Sequence, residues 1–290
     1  MENEGTFDRD KFHQFINEYN YSFMFEFERK YLSYDYVVPR RKWMTENWYL
    51  SIVYSIVYIL LVFMGQKLME KREKFNLNRT LVAWNLVLAS FSFIGSIRFL
   101  PHFIFVLTHK GIEESICVQD FAQGVPGCWS WLFVLSKVAE LIDTLFIVLR
   151  KQKLIFLHWY HHATVLIYCW FATKDFSSSG RWFVLMNYIV HTFMYSYYVF
   201  RALRFKIPKW ISIAITSGQI SQMIVGLYVN AVAYTKKNRG EKCNVTYNNI
   251  YWSFFMYFTY FLLFFNFFMN AYLKKQSTLK TDKKVHIKKE

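Results

Sequence analysis

Three histidines lie within five positions of the stretch FLHWYHH, residues 156–162. His158, His161 and His162 are spaced i, i+3 and i+4, so a helix would present all three side chains on one face. A neutral imidazole can ligate a metal ion, accept a proton or attack a carbonyl carbon. Because the neighbouring residues are strongly apolar, the cluster predicts either a buried reactive site or three imidazoles that are merely packed.

A second group of ionisable residues lies in SKVAELIDT, residues 136–144. On one continuous helix, Lys137, Glu140 and Thr144 would share a face, and Asp143 would lie slightly round from it. An ionisable residue at bilayer depth costs about 2.5–3.5 kcal/mol and is a functional candidate by default. The simpler interpretation is an ion pair that holds two helices together, although several charges are a costly way to pack helices.

Two further segments carry polar stripes inside apolar sequence. Residues 187–198 read NYIVHTFMYSYY, whose polar positions at steps of four, four and three are Asn187, His191, Tyr195 and Tyr198. A tyrosine stripe alone is more often packing, but the Asn and His on it favour a site. Residues 216–222 read TSGQISQ, with polar positions at Thr216, Gln219 and Gln222. Such amides can also serve only to join neighbouring helices by hydrogen bonds.

Membrane helices must position these residues. The chain of 290 residues is 54% hydrophobic and 21% aromatic, and a helix that crosses a bilayer needs roughly 20 mostly apolar residues. Seven stretches qualify, and a division into six or eight stays open: 49–64, 81–100, 129–149, 154–172, 182–203, 211–234 and 250–273. We therefore predict an all-α polytopic membrane protein with a polar N-terminal segment (1–48), one catalytic membrane domain (49–273) and a basic tail (274–290).

The basic residues define the predicted orientation. A formal net charge of +15 would suggest a nucleic-acid partner in a soluble protein. Here the cations cluster in short links, which is typical of cytosolic loops. This pattern predicts a lumenal N-terminus and a cytosolic C-terminus, although the link 236–242 is basic on the opposite side. The polar faces would surround one cavity whose cytosolic mouth carries cations that favour an anionic substrate: Arg150, Lys151, Lys153, Arg201, Arg204 and Lys206.

Three kinds of chemistry compete for the histidines. A di-iron centre of the desaturase type needs about eight histidines, and this chain has eight in all, half of them in tails or at a helix end. A single ion held by His158, His161, His162 and His191 is the metal alternative that this count leaves open. A transporter with a proton relay is a second possibility, although one basic mouth beside clustered histidines looks more like a reaction chamber. The third is covalent catalysis, in which an acyl-imidazole passes its acyl group on.

Two cysteines and two sequons fall in predicted lumenal segments. A bond between Cys117 and Cys243 is possible in an oxidising compartment, but the residues alone leave it open. Asn20 and Asn244 lie in N-glycosylation sequons that a lumenal enzyme could reach.

At the four motifs KVAELIDT, HWYHH, NYIVHTFMYSYY and TSGQISQ, the chain resembles the very-long-chain fatty acid elongases of the endoplasmic reticulum. KQKLIFLHWYHH is most similar to the branch that acts on saturated and monounsaturated chains of about sixteen carbons. The resemblance implies condensation of a long-chain acyl-CoA with malonyl-CoA to a 3-oxoacyl-CoA two carbons longer. It also implies six helices in an inverted barrel around an acyl tunnel, with the first of seven helices outside.

The resemblance assigns roles without a metal or other cofactor. His161 is the expected nucleophile, although His158 or His191 could replace it. His191 would assist proton movement, while His158, His162 and Asp143 would orient the imidazoles. The remaining expected site residues are Glu140 in catalysis and, for the substrates, Lys137, Asn187, Tyr195, Gln219, Arg150, Lys153, Arg204 and Lys209. The resemblance also favours the Cys117–Cys243 disulfide, a possible homodimer, and the reductases and dehydratase of the elongation cycle as partners.

Overall fold

The computed structural model describes residues 19–274. Every regular element in that part of the chain is helical. The α-helices are, in chain order, α1 (Glu26–Arg29), α2 (Tyr34–Asn47), α3 (Leu50–Met69), α4 (Asn78–His109), α5 (Gly111–Cys117), α6 (Gly124–Ala139), α7 (Ile142–Leu149), α8 (Phe156–Lys174), α9 (Gly180–Ala202), α10 (Lys209–Asn238) and α11 (Tyr247–Phe268). Short 3₁₀ turns precede α2 and α6, and a π-helical turn, Met269–Lys274, continues α11. The predicted basic tail lies almost wholly outside the described residues.

Apolar composition predicts most of these helices correctly. Four of them, within residues 19–274, are long and apolar enough to cross a bilayer: α3, α4, α10 and α11 with its π-helical extension. Large apolar side chains on α3 and α11 point outward and are exposed, among them Leu61 and Phe255. Such exposure fits a lipid environment and not water. The chain is therefore an all-helical, multi-pass membrane protein.

The prediction of one continuous helix over 129–149 is wrong. The helix breaks at Glu140 and Leu141, between α6 and α7. At the break, the amides of Leu141, Asp143 and Thr144 each bond to a carbonyl three residues back, which tightens the backbone into a 3₁₀-like turn. No glycine or proline marks the position, so the sequence carried no ordinary signal for it.

Sequence reasoning also missed helices outside the predicted spans. The N-terminal segment contains α1 and α2, and α5 follows α4 directly. Helix α2 packs against α8, and Thr45 Oγ1 donates a hydrogen bond to the Lys174 carbonyl oxygen. The described part of the N-terminal segment is thus folded onto one end of the bundle.

The two ends of the bundle differ in their contacts. At one end, called here the disulfide end, Cys117 is bonded to Cys243 and Arg181 pairs with Asp120. At the other, called the box end because α8 and its histidines begin there, the Leu149 carbonyl accepts from the Phe75 amide. The predicted cytosolic cations lie at the box end.

Helix packing links the elements in a definite order. Helix α8 packs on α11, α11 on α10, and α10 on α9. Helix α9 packs on α4, α4 on α6, and α6 on α8. Helix α3 packs on α7 and α8. The polar residues of α6, α7, α8 and α9 are thereby brought close together.

Candidate active site

A chain of polar contacts runs between α6 and α9. Lys137 Nζ lies 2.6 Å from Glu140 Oε1 and 2.9 Å from Asn187 Oδ1. The Asn187 amide nitrogen lies 3.1 Å from His191 Nε2, and all four residues are buried. Lys137 can only donate, so Asn187 uses its oxygen for Lys137 and donates its N–H to His191 Nε2. His191 therefore carries its proton on Nδ1, which lies 3.9 Å from Glu140 Oε1.

Asp143 makes different contacts from those expected. Its two carboxylate oxygens accept hydrogen bonds from Trp84 Nε1 at 2.6 Å and from the Tyr195 hydroxyl at 2.7 Å. The Tyr195 ring meets the His191 ring edge-on, with centroids 5.3 Å apart. The Asp143 carboxylate holds Tyr195, which in turn packs on His191, so any orienting effect of Asp143 on that imidazole passes through Tyr195.

The first histidine of the box belongs to a hydrogen-bonded group of three helices. His158 Nε2 lies 3.0 Å from Thr144 Oγ1 on α7. The same hydroxyl lies 2.7 Å from the hydroxyl of Tyr58 on α3. The His158 ring also packs on the His162 ring at 4.5 Å between centroids. His162 is buried, and its Nδ1 has no hydrogen-bond partner among residues 19–274.

His161 faces a different set of neighbours. Its ring packs on that of Tyr260 on α11, with centroids 4.9 Å apart. The Tyr260 hydroxyl donates to the His161 carbonyl oxygen at 3.3 Å and lies 2.6 Å from Thr164 Oγ1. Helix α8, which carries His161, packs on α6, which carries Lys137. Sequence reasoning missed Tyr260, because one tyrosine in an aromatic-rich span carries no signal.

The expected phosphate-binding cations lie at the box end but do not form one cluster with the histidines. Arg150 Nη2 donates to Asn78 Oδ1 at 3.0 Å, and Lys209 Nζ lies 5.9 Å from the Tyr272 ring centre. Lys153 and Arg204 are exposed. Gln219 instead reaches α9, where its amide lies 3.4 Å from Met194 Sδ.

The remaining predicted positions lie at the disulfide end. Cys117 and Cys243 are disulfide-bonded with their Cα atoms 4.4 Å apart. The backbone N–H of Asn244 donates a hydrogen bond to the Cys117 carbonyl oxygen. Of the two sequon residues, Asn244 is half-buried and Asn20 is exposed. A cavity of about 90 Å³ also lies at this end, between α2, α6 and the facing ends of α8 and α9.

Among residues 19–274, no three side chains of His, Cys, Asp or Glu converge in a way that could hold an ion. His158 and His162 instead make the ring and hydroxyl contacts given above.

Comparison with known proteins identifies related sequences. Residues 43–280 match the model of the ELO: GNS1/SUR4 family. The chain is 49% identical to very long chain fatty acid elongase 6 of Drosophila melanogaster, over 88% of this chain and 80% of that protein. It is 44% identical to very long chain fatty acid elongase 6 of Homo sapiens, over 87% and 93%. It is 46% identical to putative fatty acid elongase 3 of Caenorhabditis elegans, over 91% and 83%.

Proposed function

The chain belongs to the ELO family of very-long-chain fatty acid elongases, and from this premise we propose that it catalyses the condensation step of fatty acid elongation. A long-chain acyl-CoA and malonyl-CoA would give a 3-oxoacyl-CoA two carbons longer, carbon dioxide and free CoA. The observation that carries the proposal is the buried polar chain of Lys137, Glu140, Asn187 and His191, which starts on α6, the helix that packs on the histidine-bearing α8.

The first half-reaction transfers the acyl group to the protein. A neutral imidazole nitrogen of His161 attacks the thioester carbonyl carbon, and the carbon–sulfur bond breaks to release the thiolate of CoA. The acylated imidazole then loses the one proton on its other ring nitrogen, and this proton protonates the thiolate. His191 would move that proton, because its imidazole is buried and Asn187 holds its orientation.

The second half-reaction forms the carbon–carbon bond. Malonyl-CoA loses carbon dioxide, and the electron pair left behind gives the enolate of acetyl-CoA. The enolate carbon attacks the acyl carbon and the bond to His161 breaks. The leaving imidazole nitrogen takes up one proton from solvent, delivered through His191, which restores the neutral ring. The proposed sequence uses no cofactor besides the two CoA substrates.

Lys137 and Asn187 supply the charge and hydrogen bonds that both steps need. The Lys137 ammonium is buried, so its field acts strongly on negative charge that develops on a thioester or enolate oxygen. The second oxygen of Glu140, Oε2, has no partner among residues 19–274 and is free to accept a hydrogen bond from a bound substrate.

The order of helix packing supports a chamber of the family type. Read in sequence, the contacts α8–α11–α10–α9–α4–α6–α8 link six elements into a ring, with α6 and α7 together counted as one crossing, and α3 packs beside α7 and α8. We propose that the chain crosses the membrane seven times and that the first crossing, α3, lies outside the ring. Arg150, Lys153, Arg204 and Lys209 at the box end would bind the phosphates of CoA.

Two observations support residence in the membrane of the endoplasmic reticulum with a lumenal disulfide end. The Cys117–Cys243 bond is typical of an oxidising compartment, and the opposite end carries the exposed cations Lys153 and Arg204, as cytosolic loops do. A 3-oxoacyl-CoA must be reduced, dehydrated and reduced again before another cycle. We therefore propose 3-oxoacyl-CoA reductase, 3-hydroxyacyl-CoA dehydratase and enoyl-CoA reductase as partners.

A condensation assay on purified protein tests the proposal. Palmitoyl-CoA and radiolabelled malonyl-CoA are supplied after treatment with a chelator, and the wild type is compared with His161→Ala and His109→Ala. His109 is an exposed histidine at the disulfide end and serves as the control. We expect labelled 3-oxoacyl product from the wild type and the control, and none from His161→Ala. Folded wild type that makes no product with acyl-CoAs of any length would overturn the proposal and favour transport. Loss of product after chelation would favour a metal.

A further inference from the structure

Helix α3 makes two polar contacts with the elements that carry the histidine box. Ser55 Oγ donates to the Ala163 carbonyl oxygen at 3.0 Å, and Tyr58 meets Thr144 at 2.7 Å. Ser55 and Tyr58 lie one turn apart on the same buried face of α3. One turn further along α3, toward the box end, Val62 packs with Val148 of α7. Helix α3 therefore makes two neighbouring polar contacts. The Tyr58 contact continues through Thr144 to the histidine box, whereas the Ser55 contact ends at a backbone carbonyl.

The Tyr58 contact continues to an imidazole. Thr144 Oγ1 lies 2.7 Å from the Tyr58 hydroxyl and 3.0 Å from His158 Nε2. Thr144 has a single hydroxyl proton, so it can donate to one of these partners and must accept from the other. A phenol is much more acidic than an aliphatic alcohol and is the better donor, which favours the order Tyr58 to Thr144 to His158. In that order His158 Nε2 accepts and its ring proton is on Nδ1.

We propose that Tyr58 is a positioning residue for the histidine box, acting through Thr144 to hold His158 in one orientation and one tautomer. This inference rests on the proposed function, because its consequence is read in the elongation rate. The His158 ring packs on His162, and the His162 ring lies 5.5 Å from the His161 ring. A His158 ring fixed in this way supports the packing that places His161 toward its substrate.

Tyr58→Phe tests the inference against Ser55→Ala as the matched control. Each variant removes one hydroxyl from the same face of α3. We expect Tyr58→Phe to lower kcat about tenfold, the effect of losing roughly one ordering hydrogen bond, with little change in KM. The pH dependence of kcat should also shift, because His158 is no longer held in one tautomer. Ser55→Ala should keep both kcat and the pH profile of the wild type.

A double-mutant cycle with Thr144→Val separates the relay from simple packing. If Tyr58 acts through Thr144, adding Tyr58→Phe to Thr144→Val produces no further loss of kcat. Independent effects that multiply, or equal losses in Tyr58→Phe and Ser55→Ala, would overturn the proposal. Should Tyr58→Phe fail to fold, Thr144→Ser and Thr144→Val decide the matter, since only the first keeps the hydroxyl and should keep the rate. The wild type measured in the same assay reports separately on the proposed function.

Discussion

Glu28 and Arg98, 70 positions apart in the chain, form a salt bridge with 2.6 Å between Oε2 and Nη2. Glu28 is fully buried, and its other oxygen accepts hydrogen bonds from Arg98 Nε at 2.9 Å and Trp129 Nε1 at 2.7 Å. This one carboxylate thus joins α1 to α4 and α6. It fastens the N-terminal segment onto the disulfide end of the bundle.

Replacing Glu28 by Gln should destabilise the protein by about 2 kcal/mol, because charge-assisted hydrogen bonds at a buried site are lost. The apparent Tm in detergent, followed by thermal shift, measures the effect. Glu46→Gln is the matched control, since Glu46 pairs with Lys42 at 3.9 Å with side chains 59% and 73% exposed. An exposed pair of that kind contributes little. Equal shifts in the two variants would contradict the prediction.

The same carboxylate predicts a pH dependence. Burial alone would raise the pKa of Glu28, but hydrogen bonds from Arg98, Trp129 and the Phe25 amide outweigh it and hold the pKa below its ordinary value of 4.5. A group with a lowered folded pKa stabilises the protein above its unfolded pKa and loses that contribution as the pH falls through the folded value. The difference in apparent Tm between wild type and Glu28→Gln should therefore be constant above about pH 5 and shrink in more acidic buffer.

The disulfide predicts a defined thiol count and a loss of stability. The chain has four cysteines, of which Cys128 and Cys169 are free. Under denaturing, non-reducing conditions a maleimide reagent should label these two, and reduction should expose the other two. Cys117→Ser should lower stability by about 2–5 kcal/mol, measured as apparent Tm. Cys169→Ser is the control, because it leaves the disulfide intact, and four reactive thiols before reduction would refute the bond.

Sequence patterns predicted the four long apolar helices α3, α4, α10 and α11 well, because the bilayer imposes length and composition on each of them. The contacts between side chains of different helices were harder to predict from the sequence. That Tyr58 meets Thr144, or that Trp84 meets Asp143, depends on how α3 and α4 are rotated and shifted against α7, and neither is encoded in a local pattern. The break at Glu140 likewise lacks a glycine or proline. Lys137, Asn187 and His191 were predictable together, because their polar types at helical spacing stand out in apolar sequence.

A glycine on α10 predicts a steric effect at the helix interface. A Cβ atom at Gly226 would clash with the Tyr257 ring on α11, whereas a Cβ at Gly218 on the same helix would meet no atom of residues 19–274 within 4 Å. Gly226→Ala should therefore destabilise the protein by about 1–3 kcal/mol. Gly218→Ala should be neutral or stabilise by up to about 1 kcal/mol, since alanine favours the helix. Thermal shift of the two variants compares them, and a Gly226→Ala protein as stable as Gly218→Ala would show that α11 adjusts without cost.

The contact between Asp143 and Tyr195 predicts a coupled effect on catalysis. Tyr195→Phe removes the hydroxyl that donates a hydrogen bond to Asp143, and Asp143→Asn weakens the same hydrogen bond. We expect each to lower kcat about tenfold, since each releases the ring that packs on His191. The double variant should be little worse than either single one. Multiplicative losses in steady-state elongation assays would mean that Asp143 acts on catalysis by a route other than Tyr195.

Lys137 and Glu140 allow the structural and catalytic uses of charge to be separated. Lys137→Met leaves the Glu140 carboxylate buried without its main counter-charge, and breaking a buried pair from one side costs about 3–5 kcal/mol. Lys137→Met combined with Glu140→Gln removes both charges and should recover most of that stability. We expect this double variant to fold, as shown by apparent Tm and a monodisperse elution profile, yet to make no 3-oxoacyl product. Recovery of elongation together with stability would show instead that the pair serves only to join the helices.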